Sequence, residues 1–352
     1  MANQDTLIEE RSIMVSLQTW WTAFRYHFVP SSFLPAILGG VLAWAQTGLL
    51  NQWFFFLTVL GVTLNHIALN MTDDYFDYHA AVDRFDQREN NPYAGGSGTL
   101  TSGKIQHQHM RLVFTWLYLL TITIGLYLCV VQSWWILAFG VFGMASSYFY
   151  TAPPVRYGYR GFGEISQLIN FSLTIGLGAY VVQTVSFSWE AVRVLLPLGL
   201  MMFAMIIINE IPDSKDDAAA GKYTLVARFG AANAVWLYGL AMILAYAFIV
   251  LAPLWNMATP WIYLAGLTLP WAIQAFFILK RNFSEPARLM PANLLTIRVH
   301  HLTGILLIIA YLIQGLQNGR EWPQAFFAVL ILAAFYLPAA VPVLFKNHDK
   351  KG

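Results

Sequence analysis

Asn70-Met71-Thr72-Asp73-Asp74-Tyr75-Phe76-Asp77-Tyr78-His79-Ala80-Ala81-Val82-Asp83 follows directly on a long apolar run and gathers four aspartates behind one asparagine. If the run continues as a helix, Asn70, Asp73, Asp74 and Asp77 fall at i, i+3, i+4 and i+7 and share one face over about two turns. Carboxylates this close repel one another unless a cation neutralises them. Hard oxygen ligands suit Mg2+, which keeps part of its water and is shared with substrate phosphates. The alternative is simple solvation of a helix end, but acids at a helix C-terminus oppose its dipole. The stretch reads as half of a metal and diphosphate site on a helix that ends at a membrane surface.

The other half lies at Asn209-Glu210-Ile211-Pro212-Asp213-Ser214-Lys215-Asp216-Asp217, again directly after an apolar run, with Asp213 and Asp217 at i and i+4. Gly221-Lys222-Tyr223-Thr224-Leu225 follows. Carboxylates would hold the cation, and Lys215 and Lys222 would meet the remaining phosphate oxygens. Either lysine taken alone could be solvated loop charge.

Composition decides what surrounds the two clusters. The chain has 352 residues, 58% of them hydrophobic and 11% charged, with a mean hydropathy of +0.55. Soluble domains carry about 25% charged residues, so this is a polytopic membrane protein. A net charge of +2 spread over separate loops leaves no basic face for nucleic acid. The single cysteine, Cys129, rules out a disulfide within the chain. The first residues, Met1 to Ser12, are polar and lack the apolar stretch of a signal peptide.

A bilayer core needs about 20 apolar residues per helix. Such runs fall near 31–50, 53–72, 112–132, 134–151, 165–187, 191–210, 232–253, 259–279 and 301–317, with a tenth near 324–345 that carries Pro338 and Pro342. The predicted fold is therefore all-α, a bundle of nine transmembrane helices with a tenth run at the C-terminus. With the N-terminus inside, only Arg193 and Arg320 of the 20 Lys and Arg residues would lie on the far side, in keeping with the positive-inside rule. Both acidic clusters then face the cytoplasm. So does the glycine-bearing segment 84–104, which reads equally as a cover for the site or as a plain surface loop.

Other residues carry two readings each. His66 lies one turn before Asn70, inside a span, where a polar side chain faces a cavity or a partner helix. Tyr150, Arg156, Tyr159 and Arg160 sit in a connection rich in aromatics and glycine. They could contact phosphate or form an interfacial aromatic belt with positive-inside arginines. Gln167, Asn170 and Thr174 recur at helical spacing, lining a cavity or tying helices together.

These motifs, over about residues 20 to 317, resemble the UbiA superfamily of intramembrane prenyltransferases. Asp74-Tyr-Phe-Asp77-Tyr78 through Asp83 is similar to the 1,4-dihydroxy-2-naphthoate polyprenyltransferase branch, as are Tyr150 to Glu164 and Asp213 to Leu225. Three positions depart from that branch: Asp73 stands for its Asn, Ala81 for its Gly and Pro212 for its Arg. The resemblance implies nine helices and a Mg2+-dependent transfer of an isoprenyl group from a polyprenyl diphosphate to an aromatic acceptor. The expected acceptor is dihydroxynaphthoate in menaquinone biosynthesis, with 4-hydroxybenzoate as the alternative, and the expected setting is a bacterial plasma membrane. An ion-coupled carrier is the reading from another class.

The expected metal set is Asp73, Asp74, Asp77, Asp83, Asp213 and Asp217, with Asp74, Asp77, Asp213 and Asp217 central to catalysis. Asn70, Asp73, Lys222, Arg156, Arg160, Tyr150, Tyr159, Asn209, Lys215, Asn170 and His66 are the expected substrate contacts. Residues 1–30 form the expected cytoplasmic segment, 31–317 the transferase domain, and 318–352 an additional helix with a basic tail.

Overall fold

The computed structural model describes residues 15–80, 82, 93, 95–324 and 326, all helix and connection with no strand among them. In chain order the helices are α1 (Leu17–Ala23), α2 (Pro30–Thr47), α3 (Gln52–His79), α4 (His107–Val131), α5 (Trp135–Phe149), α6 (Gly163–Thr184), α7 (Trp189–Glu210), α8 (Ser214–Ala219), α9 (Leu225–Phe229), α10 (Ala231–Leu254), α11 (Pro260–Asn282) and α12 (Met290–Gln317). Asp83, Met1 to Met14 and nearly all of the expected tenth helix and tail lie outside the described residues.

Among the described residues seven helices, α3, α4, α6, α7, α10, α11 and α12, are long and apolar enough to cross a membrane by length and composition. Two other expected spans are helical but fall short. α5 has only 15 residues. α2 contains Pro30, Ser31, Ser32, Pro35 and Gln46, which lower its hydropathy, and it is nearly all buried by its neighbours.

Two boundaries differ from the apolar runs, each for its own reason. α12 starts at Met290 rather than near 301, because Asn293, Thr296 and His300 interrupt the run yet are fully buried on its inner face. α3 is capped by Asn51, whose side chain accepts from the Phe54 amide at 3.0 Å. It runs on past the apolar residues to His79, so the whole stretch from Asn70 to Asp77 is helical.

Close approach of backbones sets the packing, as expected where lipid removes most of the hydrophobic drive between helices. A Cβ at Gly39 of α2 would collide with the Gly176 carbonyl of α6, and one at Gly315 of α12 would strike the Trp44 ring. The part of α6 that meets Gly39 is a π-helix, Asn170–Leu177, a local widening often found at functional sites. Trp44, Tyr238 and Tyr311 fill the main core among α2, α7, α10 and α12. Tyr238 shares a hydrogen bond with Thr296 at 2.8 Å, and Tyr246 with Thr268 at 2.7 Å. Such bonds between membrane helices contribute about 0.6 kcal/mol each. Large apolar residues such as Trp116, Val130, Ile243 and Leu267 cover the outer surface, as a lipid-facing bundle requires.

Candidate functional site

The C-terminal end of α3 and the segment after α7 meet across one cavity of about 140 Å3. α3 brings Asn70, Asp73 and Asp77 to it; α7 and the turn into α8 bring Asn209, Glu210, Asp213, Asp216 and Asp217. The two acidic stretches, about 140 residues apart in sequence, thus form a single site. Six carboxylates line it against two cations, Arg25 and Lys222.

Lys222 is the link between the halves. Its Nζ donates to Asp77 Oδ2 at 2.8 Å and stands 3.9 Å from Asp217 Oδ1. The second oxygen of Asp77 accepts from the Tyr159 hydroxyl at 2.6 Å, and the Lys222 ammonium lies 5.6 Å from the Tyr159 ring centre. Burial alone would pull the Lys222 pKa down, but Asp77 and Asp217 outweigh it and hold the amine well above its ordinary value. Tyr159 is also the joint between connections, since its carbonyl accepts from the Tyr223 amide at 2.9 Å. Beside it, buried Glu164 accepts from the Leu225 amide and fixes the start of α9.

Opposite Lys222, Arg25 Nη1 approaches Asp73 Oδ2 at 3.3 Å. The other Asp73 oxygen is buried with no hydrogen-bond partner among the described residues. Asp213 is pushed up to about 7, first by burial and then by Asp217. Asp217 is pushed up to about 6, first by burial, with Lys222 acting against the rise.

Asp74 is held differently from its neighbours. It is buried and accepts from the Ser97 amide at 2.9 Å, tying down the connection whose Gly95, Gly96 and Gly98 line the cavity. That connection is therefore a wall of the site rather than a plain surface loop. Gly95 lies at φ 70°, and even a Cβ there would stand only 3.7 Å from an Asp213 oxygen.

Buried Tyr150 and His66 also line the cavity. His66 shares a hydrogen bond with Ser32 at 2.9 Å and meets the Phe171 ring edge to face at 4.9 Å. Asn209 lines it while accepting from the Asn293 amide at 2.7 Å. Asn170 lies in an adjoining small cavity instead. Arg156 is 5.5 Å from the Tyr159 ring centre and does not line the cavity, and Arg160 and Lys215 are exposed away from it. Gln167, read from the stripe on its helix as lining a cavity or tying helices together, lines the acidic cavity, and so do Arg25 and Glu210, to which the motif reading gave no role. Glu210 stood inside the quoted second stretch, whereas Arg25 gave no spacing signal.

The donor set fits a divalent cation: hard carboxylate oxygens in excess, two of them, on Asp73 and Glu210, buried with no hydrogen-bond partner among the described residues. The acids ring the cavity rather than converge, and no three acidic, His or Cys side chains among the described residues already form a ligand cluster.

Helical bundle and acid-ringed cavity together define an integral membrane protein with a polar site at one end of an apolar body. The chain belongs to the UbiA prenyltransferase family, whose sequence pattern matches residues 32–297, and it is thereby a transferase. It is 27% identical over 298 residues to the 1,4-dihydroxy-2-naphthoate octaprenyltransferase of Bacillus subtilis, covering 84% of this chain and 93% of that one. Its fold is similar to that of a UbiA homologue from Aeropyrum pernix K1, with 14% identity, a TM-score of 0.59 and coverage of 80% and 97%. A UbiA homologue from Archaeoglobus fulgidus bound to DMAPP and Mg2+ is similar at 12% identity and a TM-score of 0.57, covering 83% of this chain and 99% of that one.

Proposed function

We propose that this protein transfers a polyprenyl group from its diphosphate to 1,4-dihydroxy-2-naphthoate, with Mg2+ as cofactor, in menaquinone biosynthesis. One observation carries the reading: a single cavity joins six carboxylates and two cations at its mouth to Phe28, Leu69, Phe171, Met202 and Ile206 in its depth. That is the polarity of a prenyl diphosphate, charged at one end and apolar along the rest. The name of the Bacillus subtilis relative supports the acceptor, and the ligands of the Archaeoglobus fulgidus homologue support Mg2+ and an allylic diphosphate.

Bound Mg2+ would supply Lewis-acid stabilisation of the departing diphosphate, held by Asp73, Asp77, Asp213 and Asp217, with Asp83 from the same stretch. Lys222 and Arg25 add fixed positive charge where negative charge develops as the C–O bond breaks and its electron pair leaves with the diphosphate. The allylic carbon then bonds to an electron-rich ring carbon, and with dihydroxynaphthoate the ring loses its carboxylate as CO2. Phe28, Phe171 and Met202 keep water from the allylic cation. Tyr159 and Lys222 hold Asp77 in position.

In the same reading, 31–317 is the transferase domain with nine spans, α2 and α5 included, preceded by a segment at 1–30 and followed by a helix and tail at 318–352. The N-terminus and the acidic site face the cytoplasm of a bacterial plasma membrane. Prenyl transfer in nanodiscs, with Mg2+ or a chelator and with dihydroxynaphthoate and 4-hydroxybenzoate side by side, is the test. The expected result is metal-dependent product from dihydroxynaphthoate, falling on the order of a hundredfold in Asp77→Asn and Asp217→Asn. Unchanged transfer in either variant overturns the metal assignment, and product only from 4-hydroxybenzoate overturns the acceptor.

A further inference from the structure

His66 lines both the acidic cavity and a small cavity behind it, and is otherwise buried. On α3 it stands roughly 10 Å along the axis from Asp73, at 1.5 Å per residue, toward the membrane interior. It therefore lies below the acids, among Leu69, Phe171 and Met202. That is the depth at which an allylic carbon, its diphosphate held by the acids, would meet an aromatic ring.

The two ring nitrogens of His66 are not equivalent. Nδ1 lies 2.9 Å from Ser32 Oγ, and the same hydroxyl donates to the Val29 carbonyl at 2.9 Å. A carbonyl can only accept, so the single hydroxyl proton of Ser32 is spent on Val29. Ser32 Oγ must then accept from His66, and Nδ1 is the nitrogen that carries the proton. In the neutral ring the lone pair is left on Nε2, which has no hydrogen-bond partner among the described residues. Ser32 is fully buried in the first turn of α2, and the Phe171 ring meets the imidazole edge to face. Together they fix both the tautomer and the plane of the ring.

We propose that His66 is the general base for the aromatic acceptor, its Nε2 taking the proton of a ring hydroxyl as the new carbon–carbon bond forms. This rests on the proposed function, because it needs a hydroxylated ring beside the allylic carbon. The O–H bond breaks toward Nε2, its electron pair closes to a C=O, and the displaced ring pair forms the bond to the allylic carbon. The allylic C–O bond breaks with its pair leaving on the diphosphate. When the carboxylate then leaves as CO2, the pair of that bond stays in the ring, aromaticity returns, and the oxygen takes its proton back from His66. Holding the hydroxyl also occupies the Nε2 lone pair, which would otherwise trap the allylic cation.

The charged and titratable groups facing His66 are Arg25, between α1 and α2, and His300 and His301 on α12; the test leaves them unaltered. His66→Asn puts an amide near the place of Nδ1, keeps a donor for Ser32 and removes Nε2. Ser32→Ala keeps the ring but frees the choice of tautomer. Transfer to dihydroxynaphthoate is measured in nanodiscs across pH, with and without added imidazole, and binding of a prenyl thiodiphosphate with Mg2+ is measured by calorimetry. The expected result is a kcat about a hundredfold lower in His66→Asn, partly restored by imidazole, with thiodiphosphate binding within about twofold. Its kcat should keep rising with pH where that of the unaltered protein levels off, because an ionised acceptor needs no base. Ser32→Ala should lose about tenfold in kcat without rescue by imidazole. An unchanged kcat in His66→Asn, a loss that imidazole and pH leave untouched, or a parallel loss of thiodiphosphate binding overturns the assignment. No transfer by the unaltered protein overturns the proposed function, and the base with it.

Discussion

Asp74 and Asp77 lie three residues apart on one helix and yet make different contacts. Asp77 holds Lys222 and Tyr159 over the cavity, while Asp74 holds the Ser97 amide. Asp74→Ala should therefore free the glycine-bearing wall, raising KM for the diphosphate about tenfold, as loss of one charged hydrogen bond allows, with a smaller change in kcat. Steady-state kinetics check this, and an equal fall in kcat with unchanged KM would return Asp74 to the metal set. A second expectation concerns Asp213 and Asp217, raised to about 7 and about 6 by burial. Both must lose a proton to hold a cation, and acid below about 6 leaves them neutral. Apparent Mg2+ affinity should thus rise by roughly tenfold or more between pH 5.5 and 7.5, read by calorimetry on the purified protein; a flat profile would remove these two groups from the metal site.

At the scale of elements, the π-helical part of α6 and the glycines facing it decide how closely the two sides of the bundle approach. Gly39 permits the contact between α2 and Gly176 of α6. Gly39→Val should push α2 off α6 and lower thermal stability by about 1–3 kcal/mol, while leaving the acids in place; an unchanged melting temperature in detergent would show the contact to be slack. None of this closeness was legible in the sequence. Hydropathy marked where helices run, but their ends moved where inward polar residues broke an apolar run, as at Asn293 to His300 of α12, or where the helix outlasted it, as at Asp73 to His79 of α3.

For the whole molecule, composition and the two acidic stretches fixed much without any coordinates. A chain this apolar must lie in a membrane, and helices satisfy their own backbone there. Carboxylates at helical spacing must share a face, because the 3.6-residue repeat is local. Those inferences need only neighbours in sequence. What the tertiary structure alone decided was which charges meet. Arg25 reaches Asp73 across 48 residues and Lys222 reaches Asp77 across 145, whereas Arg160 and Lys215, equally well placed by motif, face outward. The same holds for the acidic cavity, whose walls come from α3, α6, α7 and the connections beside them. A cation's partner and a cavity's shape depend on how helices cross and how closely glycines let them approach, and no periodicity along a single chain encodes either.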